Sequence, residues 1–467
     1  MKNNIKLIIG IICLTGLLTA NAQQKKGGID PQVLQEIQQS YKNTTQDKAI
    51  RNAIGSSDIN RLSTNSELPA MPDTYFSNKI NLKRITNQKS SGRCWIFTGM
   101  NVFRVKMMQK YPMDNFEFSS NYLFFWDQLE KSNLFLQAII DTRTKEITDR
   151  TVEFLFRNPI NDGGQFTGVV DLVTKYGVVP QAAMPETHSS ENTARMRYLI
   201  SLKLREFGLE LREMGAKKGT TETQLKQKKT EMLSTIYRML VLNLGVPPTT
   251  FTWTLKDGSG KPISTKEYTP LSFYKEFVNE DLSTYIMFMN DPTREYYKVY
   301  EVEYGRHVYD GNNWKYINLP MEDIKEIAIA SIKDSTCMYF SCDVGKFYNR
   351  SKSTLDLDNY DYSSLMGVDF TMDKKQRIQT FASSSAHAMN LVGVDLDENG
   401  KSIKWLIENS WGNIGYKGLL IMTDEWFGEY MFRLVVEEKY IKKDILNILK
   451  QKPIKLPPWD PMFAPEL

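Results

Sequence analysis

Cysteine and histidine are both scarce in this chain of 467 residues, which holds four cysteines and three histidines. With Cys13 set aside as part of an apolar N-terminal segment, the remaining cysteines are Cys94, Cys337 and Cys342. An odd number of cysteines cannot all pair within one chain. Cys337 and Cys342 also lie five residues apart in a strand-like stretch, where their side chains should point to opposite faces. The sequence therefore excludes a disulfide-stapled scaffold.

Excess charge and sequence repetition are missing as well. The formal net charge is +4, and removal of Lys2 and Lys6 with the N-terminal segment leaves +2, a balance that speaks against strong nucleic-acid binding. No internal repeat or low-complexity tract is present. A composition of 41% apolar and 24% charged residues is typical of a soluble globular protein, and the length predicts two or three lobes or one core with large insertions.

The N-terminal segment has the features of a signal peptide. Two lysines precede an uncharged run over residues 7–20, and Ala20 and Ala22 have the spacing that a signal peptidase reads. We therefore expect residues 1–22 to be removed and the protein to be exported, either to the periplasm or out of the cell. A membrane anchor is the alternative, but a span needs about 18 apolar residues and this run is shorter. No other run predicts a membrane segment.

Helical periodicity follows a polar N-terminal arm, residues 23–72, in which we expect one or two short helices. The periodic stretches are 94–111, which is apolar on most faces, 166–177, and 192–245, an antiparallel helical pair broken at 215–219. Thr221 and Gln224 form a capping box that begins the second helix of the pair.

Two other regions lack that periodicity. Residues 250–350 mix short aromatic-rich strands with loops. Residues 453–467 contain five prolines, so they can form neither a helix nor a central strand. The sequence therefore predicts an extended C-terminal arm.

Cys94 stands at the first turn of a predicted buried helix, directly after the small and polar residues Ser90, Ser91 and Gly92. The positive end of a helix dipole favours the thiolate, which is the form of cysteine that attacks carbonyl carbons. Position alone proves little, because a buried cysteine is usually an inert small apolar residue. A catalytic role requires a base and a group that orients the base.

His387 is the histidine best placed to be that base. It opens an apolar run that reads as a strand, residues 397–400 form a tight turn, and residues 402–409 read as the returning strand. With the turn centred near Glu398, His387 and Asn409 stand at equal distances from the centre. The two side chains should therefore meet at one end of the hairpin.

Asn409 in that position can accept a hydrogen bond from one ring nitrogen and turn the other nitrogen toward Cys94, as in a Cys-His-Asn triad. Trp411, two residues further on, would shield this bond from water. His188, in a polar loop, and His307, at a strand edge, read as surface or structural residues instead.

Gln88 and a glycine pair complete the candidate site. Gln88 lies six residues before Cys94, across a flexible turn, so its amide can stabilise an oxyanion together with the backbone N–H of Cys94. Gly163 and Gly164, preceded by Asp162, lack side chains and would let an extended peptide pair with the main chain. An ordinary turn is the alternative for this loop.

These residues resemble a known family. Gln88, the run SGRCW at 91–95, His387 and the run ENSWG at 408–412 are similar to the papain superfamily. Arg93 stands where a small residue is usual, and His387 follows Cys94 by 293 residues, farther than is usual. Longer runs from about residue 70 to the C-terminus resemble the bleomycin hydrolase and aminopeptidase C branch. These runs are QKSSGRCWIF, NYLFFWDQLEKSN, DGGQF, KYGVVPQAAMPET, CDVGKF, ENSWGNIGYKG, MTDEWFGEYMF and WDPM.

The resemblance implies an α+β, papain-like fold of two lobes, one helical and one an antiparallel β-barrel-like lobe, with a long helical insertion and an extended C-terminal arm. The implied segments are a signal peptide (1–22), an N-terminal arm (23–72), a helical lobe with the nucleophile (73–190), an insertion with connecting strands (191–345), a β lobe with the histidine and asparagine (346–452), and the arm in the active-site cleft (453–467).

The resemblance also implies a function. Members of the branch are cysteine aminopeptidases that need no metal or organic cofactor and form homohexamers whose active sites face a central cavity. Their C-terminal arm restricts cleavage to the substrate's N-terminal end, so the carboxylate of Leu467 would meet the substrate ammonium. The expected substrate-binding residues are Asp162, Gly163, Gly164, Trp411 and Leu467.

Two departures and two alternatives remain. The terminal sequence FAPEL differs from the branch's usual small-residue ending, which leaves the number of residues removed per cut open. The signal peptide differs from the familiar cytoplasmic relatives. An endopeptidase of the same chemistry and a non-catalytic oligomer that binds peptides or nucleic acid are the alternatives to an aminopeptidase.

Overall fold

The computed structural model describes residues 27–111, 113 and 115–463. These residues divide into two compact units, one that ends at Ser63 and one that begins at Thr64. The described part of the first unit contains only helices and loops, whereas the second combines helices with a large sheet. The α+β class expected from the sequence is confirmed.

Two predicted features lie outside the described residues. They are the signal peptide at residues 1–22 and Leu467 at the end of the predicted arm. Within the described part of the chain, no helix is both long and apolar enough to cross a membrane.

The first unit is built from short helices with strong local start signals. They are α1 (Pro31–Ser40), α2 (Thr45–Ile54) and α3 (Ile59–Ser63). The carboxylate of Asp30 accepts hydrogen bonds from the backbone N–H groups of Gln32 and Val33 at the start of α1, each 2.9 Å long. Thr44 and Asp47 form a capping box at the start of α2. The expectation of one or two helices is therefore too low, because α3 is only five residues long and too short to show a periodic pattern.

The second unit contains the remaining helices. They are α4 (Cys94–Lys110), α5 (Ser120–Asp141), α6 (Arg150–Arg157), α7 (Phe166–Tyr176), α8 (His188–Glu191), α9 (Ala194–Ala216), α10 (Glu222–Leu244), α11 (Pro270–Phe277), α12 (Met321–Lys333), α13 (Tyr362–Met366), α14 (Lys374–Gln379), α15 (Asp424–Tyr430) and α16 (Lys443–Ile448). The helices predicted over 94–111, 166–177 and 192–245 are confirmed as α4, α7 and the pair α9 and α10.

The strands of the second unit are mostly short. They are β1 (Asn78–Lys79), β2 (Phe251–Lys256), β3 (Pro262–Tyr268), β4 (Tyr285–Met289), β5 (Lys298–Val302), β6 (Lys315–Asn318), β7 (Met338–Cys342), β8 (Tyr348–Asn349), β9 (Thr354–Leu355), β10 (His387–Leu396), β11 (Ser402–Glu408), β12 (Leu419–Thr423), β13 (Met431–Glu437) and β14 (Ile454–Leu456).

Most of these strands form one sheet. Its order across the described residues is β14-β5-β6-β4-β13-β7-β10-β11-β12-β9-β8, with β1 also paired to β10, while β2 and β3 form a separate hairpin. Neighbours are antiparallel except for β14 with β5, β4 with β6, and β12 with β9. The longest antiparallel neighbours are β10 and β11, the hairpin predicted to carry the histidine and asparagine.

The central strands bury both of their faces. In β7, Met338, Phe340 and Cys342 belong to one apolar core, whereas Tyr339 and Cys337, the residue directly before the strand, belong to the other, as the two-residue repeat of a strand requires. The first core includes α12 and α15, and the second includes most of α4. The prediction that Cys337 and Cys342 point to opposite faces is therefore confirmed.

The helical pair packs on α5. Phe125 and Tyr237 make an edge-to-face ring contact with centroids 5.3 Å apart, and Lys229 Nζ donates to Gln137 Oε1 at 2.8 Å. A 2.7 Å ion pair between Lys228 and Glu210 joins α10 to α9. Thr221 and Gln224 form the predicted capping box of α10.

Two regions differ from the sequence reading. Residues 250–350 contain α11 and α12 in addition to strands. In α12 the buried residues recur at three- and four-residue spacings after an acidic first turn, which is a helical pattern. In the C-terminal arm, β14 is an extended strand at the edge of the sheet. A 3₁₀ turn spans Pro461–Phe463, so the arm is not extended throughout. Proline is compatible with both positions.

Candidate active site

Cys94 is the first residue of α4 and is fully buried. The first turn of α4 contains no acidic residue, and the preceding Arg93 makes no side-chain capping bond there. The positive end of the helix dipole is therefore not neutralised by a side chain of the helix itself. This arrangement favours a thiolate at Cys94.

His387 and Asn409 lie together at the end of the β10–β11 hairpin. His387 Nε2 and Asn409 Oδ1 are 2.8 Å apart, and both residues are buried. Because an amide oxygen can only accept, Nε2 donates its N–H in this bond, and Nδ1 is the ring nitrogen that does not face Asn409. The predicted meeting of these two side chains is confirmed.

The hairpin register is shifted by two residues from the predicted one. Asn390 pairs with Glu408 and Leu391 with Ile407, so the same register continued outward places His387 opposite residue 411 rather than residue 409. Trp411 stacks on the imidazole of His387, with ring centroids 4.8 Å apart and an angle of 27° between the planes. The turn accounts for the shift: Leu396 pairs with Ser402, so the turn is centred at residue 399 and not at Glu398, and the two bulges further along the hairpin offset each other.

The segment before Cys94 pairs with the segment after Asn409. The backbone N–H of Gln88 donates to the carbonyl of Ser410 at 2.8 Å, and that of Gly412 donates to the carbonyl of Thr86 at 2.9 Å. Asn87 and Trp411 are partners in an antiparallel bridge. Two regions more than 300 residues apart along the chain are thereby joined side by side.

The side chain of Gln88 is held at both ends. Its Nε2 donates to the carbonyl of Ser91 at 2.6 Å, and its Oε1 accepts from Ser410 Oγ at 2.7 Å. A carbonyl oxygen can only accept, which fixes the amide nitrogen on the side of Ser91. One of the two N–H groups of Nε2 is used by Ser91, so the second remains able to donate elsewhere.

Asp162 fixes the loop that leads into Cys94. Its carboxylate accepts from the backbone N–H of Gly92 at 2.9 Å, from the hydroxyl of Thr193, and from Arg197 Nη1 at 2.8 Å. Burial alone would raise the pKa of Asp162, but the hydrogen bonds from Thr193 and Gly92 and the charge of Arg197 hold it below its usual value. The carboxylate expected to bind substrate therefore binds the protein's own nucleophile loop.

Arg93 is the unusual residue in the signature around Cys94, and it is fully buried. Its Nη1 forms a 2.8 Å ion pair with Glu186, and its Nε donates to Ser91 Oγ at 3.0 Å. The guanidinium also lies over the ring of Phe97 at 5.2 Å. Arg93 thus connects the loop before Cys94 to Glu186, a contact that no sequence pattern predicted.

The glycine pair lies in the wall of a cavity of about 500 Å³. The cavity is lined mostly by apolar and aromatic side chains, and Pro458, Trp459, Asp460 and Pro461 of the C-terminal arm also line it. A Cβ on Gly164 would come within 2.4 Å of His307 and 2.5 Å of Trp95, so only glycine fits there. Trp95 directly follows Cys94, which places the cavity beside the nucleophile helix.

The C-terminal arm is anchored beside this cavity. Trp459 lies under the guanidinium of Arg150, 4.3 Å from the ring centre. Asp460 forms an ion pair with Arg294, and Arg433 Nη2 donates to the carbonyl of Met462 at 2.7 Å. The described part of the arm is thus fixed up to residue 462.

His307 and its neighbours were missed by sequence reasoning. Of the two predicted alternatives, a surface or a structural residue, the structural one fits: the side chain is buried, and its Nδ1 lies 2.7 Å from Asp127 Oδ1. Burial lowers the pKa of His307 and nearby Lys131 lowers it further, whereas Asp127 raises it. His188 is the first residue of α8, a single helical turn. No local pattern marks Asp127 or Lys131 as parts of the site.

A buried ion pair lies directly before Asn409. Arg104 Nη2 of α4 and Glu408 Oε1 of β11 are 2.7 Å apart, and both side chains are almost inaccessible. Burial raises the pKa of Glu408, and Arg104 opposes that shift. This pair ties the nucleophile helix to the strand that carries the asparagine.

Comparison with known proteins places this geometry in a family. A family model described as "Peptidase C1-like family" matches residues 28–463. The chain belongs to the Peptidase C1-like family.

Relatives within the Peptidase C1-like family are similar over most of the chain. A bleomycin hydrolase from Mus musculus is 42% identical over 392 residues, which cover 82% of this chain and 86% of the relative. An aminopeptidase C from Lactobacillus delbrueckii subsp. lactis is 38% identical over 419 residues, which cover 88% of this chain and 93% of the relative.

A solved structure agrees with the fold. The crystal structure of PepW from Lactobacillus rhamnosis HN001 matches with a TM-score of 0.90 and 34% identity, over 94% of this chain and 99% of PepW. The resemblance noted in the sequence is therefore confirmed, and the fold is papain-like. The protein is a cysteine-type aminopeptidase.

Proposed function

We propose that this protein is an exported aminopeptidase that cleaves peptide bonds near the substrate's N-terminus with a Cys94-His387-Asn409 triad. The observation that carries the proposal is the 2.8 Å bond between His387 Nε2 and Asn409 Oδ1. Through Ser410 and Gln88, the same segment is hydrogen-bonded to the loop that leads into Cys94. With Nε2 bonded to Asn409, Nδ1 is the ring nitrogen that would exchange a proton with the Cys94 thiol.

The proposed reaction has two stages. The Cys94 thiolate attacks the peptide carbonyl, a C–S bond forms, and the oxyanion is stabilised by the second N–H of Gln88 and the backbone N–H of Cys94. The C–N bond then breaks, and the imidazolium of His387 gives its proton to the leaving amine. Water, deprotonated by His387, attacks the thioester and releases the acyl product with the free thiol.

The cavity supplies the proposed substrate path. Gly163 and Gly164 border it without side chains and would pair with an extended peptide main chain. The arm residues 458–461 line the same cavity, and this supports a role of the arm, ending in the carboxylate of Leu467, in limiting cleavage to the N-terminal end. Cys94 is fully buried, so a substrate must displace protein atoms to reach it, which also supports a gating element.

The nucleophile is tested with matched cysteine variants. Cys94→Ala should abolish hydrolysis of aminoacyl amides and leave the fold intact by circular dichroism. Cys337→Ala is the control, because burial raises the pKa of Cys337 to about 12 and keeps that thiol protonated and unreactive. Turnover retained by Cys94→Ala would refute the assignment.

The position of cleavage is tested with a long peptide. Mass spectrometry should show products shortened from the N-terminus, and a peptide with a blocked N-terminus should resist cleavage. Deletion of residues 464–467 should permit internal cuts. Cleavage of the blocked peptide by the full chain would instead identify an endopeptidase, and unchanged products after the deletion would refute the gating role.

Export and assembly are parts of the proposal that need their own measurements. Fractionation of cells that express the full sequence should find the protein outside the cytoplasm and lacking residues 1–22, and a cytoplasmic, uncleaved protein would refute export. Light scattering of the purified protein should give the mass of six copies of the chain. A monomer at micromolar concentration would refute the homohexamer.

A further inference from the structure

Lys131 is a buried lysine of α5 whose ammonium points at the main chain of the glycine loop. Its Nζ donates to the carbonyl of Gly163 at 2.6 Å and to the carbonyl of Asn161 at 3.0 Å. It also forms a 2.9 Å ion pair with Asp127. The shortest of these contacts is the one to the cavity wall, not the one to the partner carboxylate.

Asp127 holds the ammonium group of Lys131 in place. It is completely buried, and its second carboxylate oxygen lies 2.7 Å from His307 Nδ1. Gln128 Nε2 donates to the carboxylate at 2.9 Å. Burial would raise the pKa of Asp127, but Lys131 and His307 together lower it, so the carboxylate stays ionised and the ammonium has a fixed counter-charge.

The bond to Gly163 fixes the orientation of one peptide group. In a trans peptide the carbonyl of residue 163 and the N–H of residue 164 point in opposite directions. Because the carbonyl of Gly163 points to Lys131 inside α5, the N–H of Gly164 points away from it. The Cα of Gly164 cannot move inward, since it already packs on the rings of His307 and Trp95.

From this geometry we infer that Lys131 is a positioning residue for substrate: it turns the Gly163–Gly164 peptide so that the N–H of Gly164 meets a carbonyl of the bound peptide. The occupant is an extended peptide whose main chain lies along the glycine pair. Lys131 acts on the substrate through that peptide group, because its Nζ is bonded to the protein's own main chain. The inference rests on the proposed peptidase function and adds to it the residue that orients the glycine pair.

An ordinary buried ion pair would stabilise the fold and nothing more. It would affect every reaction of Cys94 in the same way. A positioning role predicts a different result: reagents that lie along the glycine pair should lose reactivity, and reagents too small to reach it should not. The two roles can therefore be separated by the size of the reagent.

The experiment compares two inactivators on the full chain. One is a dipeptidyl fluoromethyl ketone with a free amino terminus, which places a main chain along the glycine pair, and the other is iodoacetamide, which does not. Lys131→Met should slow inactivation by the dipeptidyl reagent about tenfold, the effect of losing one well-oriented hydrogen bond. The rate with iodoacetamide should stay within twofold.

Lys106→Met is the matched control. Lys106 is a partly buried lysine of α4 that pairs with Glu280 and Glu437 and does not line the cavity. Its replacement removes a comparable ion pair, so it should leave both inactivation rates within twofold. Lys131→Gln keeps a donor for the Gly163 carbonyl without the charge and should slow the dipeptidyl reagent about threefold, which preserves the test if the methionine variant does not fold.

Three outcomes would overturn the inference. They are equal slowing of both reagents by Lys131→Met, no slowing of the dipeptidyl reagent, and a wild-type chain that reacts no faster with the dipeptidyl reagent than with iodoacetamide. A wild-type chain whose Cys94 does not react with iodoacetamide at all would instead refute the proposed function. Failure of the inference and failure of the function are therefore distinguishable.

Discussion

The two walls of the candidate site are built in different ways. The histidine wall, residues 387–412, is one hairpin with its following loop, and its main contact, between His387 and Asn409, lies within it. The nucleophile wall, residues 86–95, has little structure of its own and is held by distant side chains such as Asp162. The geometry of the histidine wall is therefore determined by its local sequence. The geometry of the nucleophile wall depends on contacts with parts of the unit that are distant along the chain.

The electrostatics of the two walls also differ. The nucleophile wall depends on the ionised carboxylate of Asp162, whose pKa is held low. Helix α14, which precedes the histidine wall along the chain, carries the buried Lys374, whose Nζ donates to the carbonyl of Met431 at 2.6 Å and to Asn290 Oδ1 at 2.7 Å. The buried charged group is therefore an acid at the nucleophile wall and a base in the helix before the histidine wall, and each is sensitive to a different range of pH.

The largest effect should come from removing the carboxylate that holds the nucleophile wall. Asp162→Ala leaves Arg197 and the N–H of Gly92 without their acceptor, so it should lower the free energy of unfolding by about 3 kcal/mol and reduce kcat/KM. Urea denaturation and steady-state kinetics measure the two effects. Asp310→Ala, which breaks an exposed pair with Lys175, should cost less than about 1 kcal/mol. Equal costs in the two variants would contradict the distinction between the walls.

Removing the orienting amide of the histidine wall should affect catalysis more than stability. Asn409→Ala should lower kcat about 100-fold, because the imidazole loses the acceptor that fixes its tautomer. Its free energy of unfolding should fall by only about 1 kcal/mol. Asn121→Ala is the control: this buried asparagine of α5 donates to the carbonyls of Pro185 and Leu244, so stability should fall and kcat should not. A kcat near wild type for Asn409→Ala would remove it from the triad.

The free energy of unfolding should depend on pH because of the buried Lys374. Burial lowers the pKa of Lys374 to about 7 in the folded chain, from a usual value of 10.5. Between these two values the unfolded chain binds more protons, so the free energy of unfolding should rise with pH, by at most about 1.4 kcal/mol per pH unit. Below pH 7 the cost of the buried charge is fully present.

Denaturation of the wild type and Lys374→Met at pH 7, 8 and 9 measures this contribution. The variant should show a flatter dependence on pH. The carboxylate of Asp162 acts in a different range: its pKa is lowered, so its stabilising effect is present above the usual value of 3.8 and is lost as the pH falls through the folded-state pKa. The same slope in Lys374→Met and the wild type would show that other groups cause the rise.

The smallest of these effects should come from the ring above the histidine. Trp411 stacks on His387 at 4.8 Å, and such a contact contributes about 1 kcal/mol. Trp411→Leu should therefore lower kcat about fivefold and leave the free energy of unfolding almost unchanged. Trp405→Leu removes a completely buried tryptophan of β11. It should lower the free energy of unfolding and leave kcat almost unchanged. No change of kcat in Trp411→Leu would show that the stacking does not support the imidazole.

The sequence predicted the histidine wall better than the nucleophile wall for a physical reason. A tight turn and two apolar strands determine a hairpin locally, so His387 and Asn409 could be paired by counting from the turn, although the turn centre lies one residue later than predicted and this shifts the register by two residues. The helix that begins at Cys94 was also visible. The contact of Asp162 with Gly92 spans 70 residues and involves a carboxylate in a polar loop, where no periodic pattern identifies a partner.

The same limit applies to the cavity and the arm. Five prolines predicted an arm without a long helix, but the edge strand β14 depends on a partner strand more than 150 residues away. Lys131 stands in the middle of α5 between Glu130 and Ser132, a polar setting in which a lysine usually reaches for solvent. Its burial under the glycine loop results from the packing of α5 against residues 161–164, which the residue pattern of either segment does not reveal.

The attachment of the loop before Cys94 to the start of α9 has a consequence for how activity is acquired. Asp162 holds Gly92 only while Thr193 and Arg197, at the first turn of α9, hold Asp162. A chain in which the segment 192–245 has not yet docked, or has been cut by a protease, would lack that attachment. Such a chain would carry its thiol after a loop that has lost this anchor, so a newly made or damaged molecule should have little peptidase activity until the helical pair is in place.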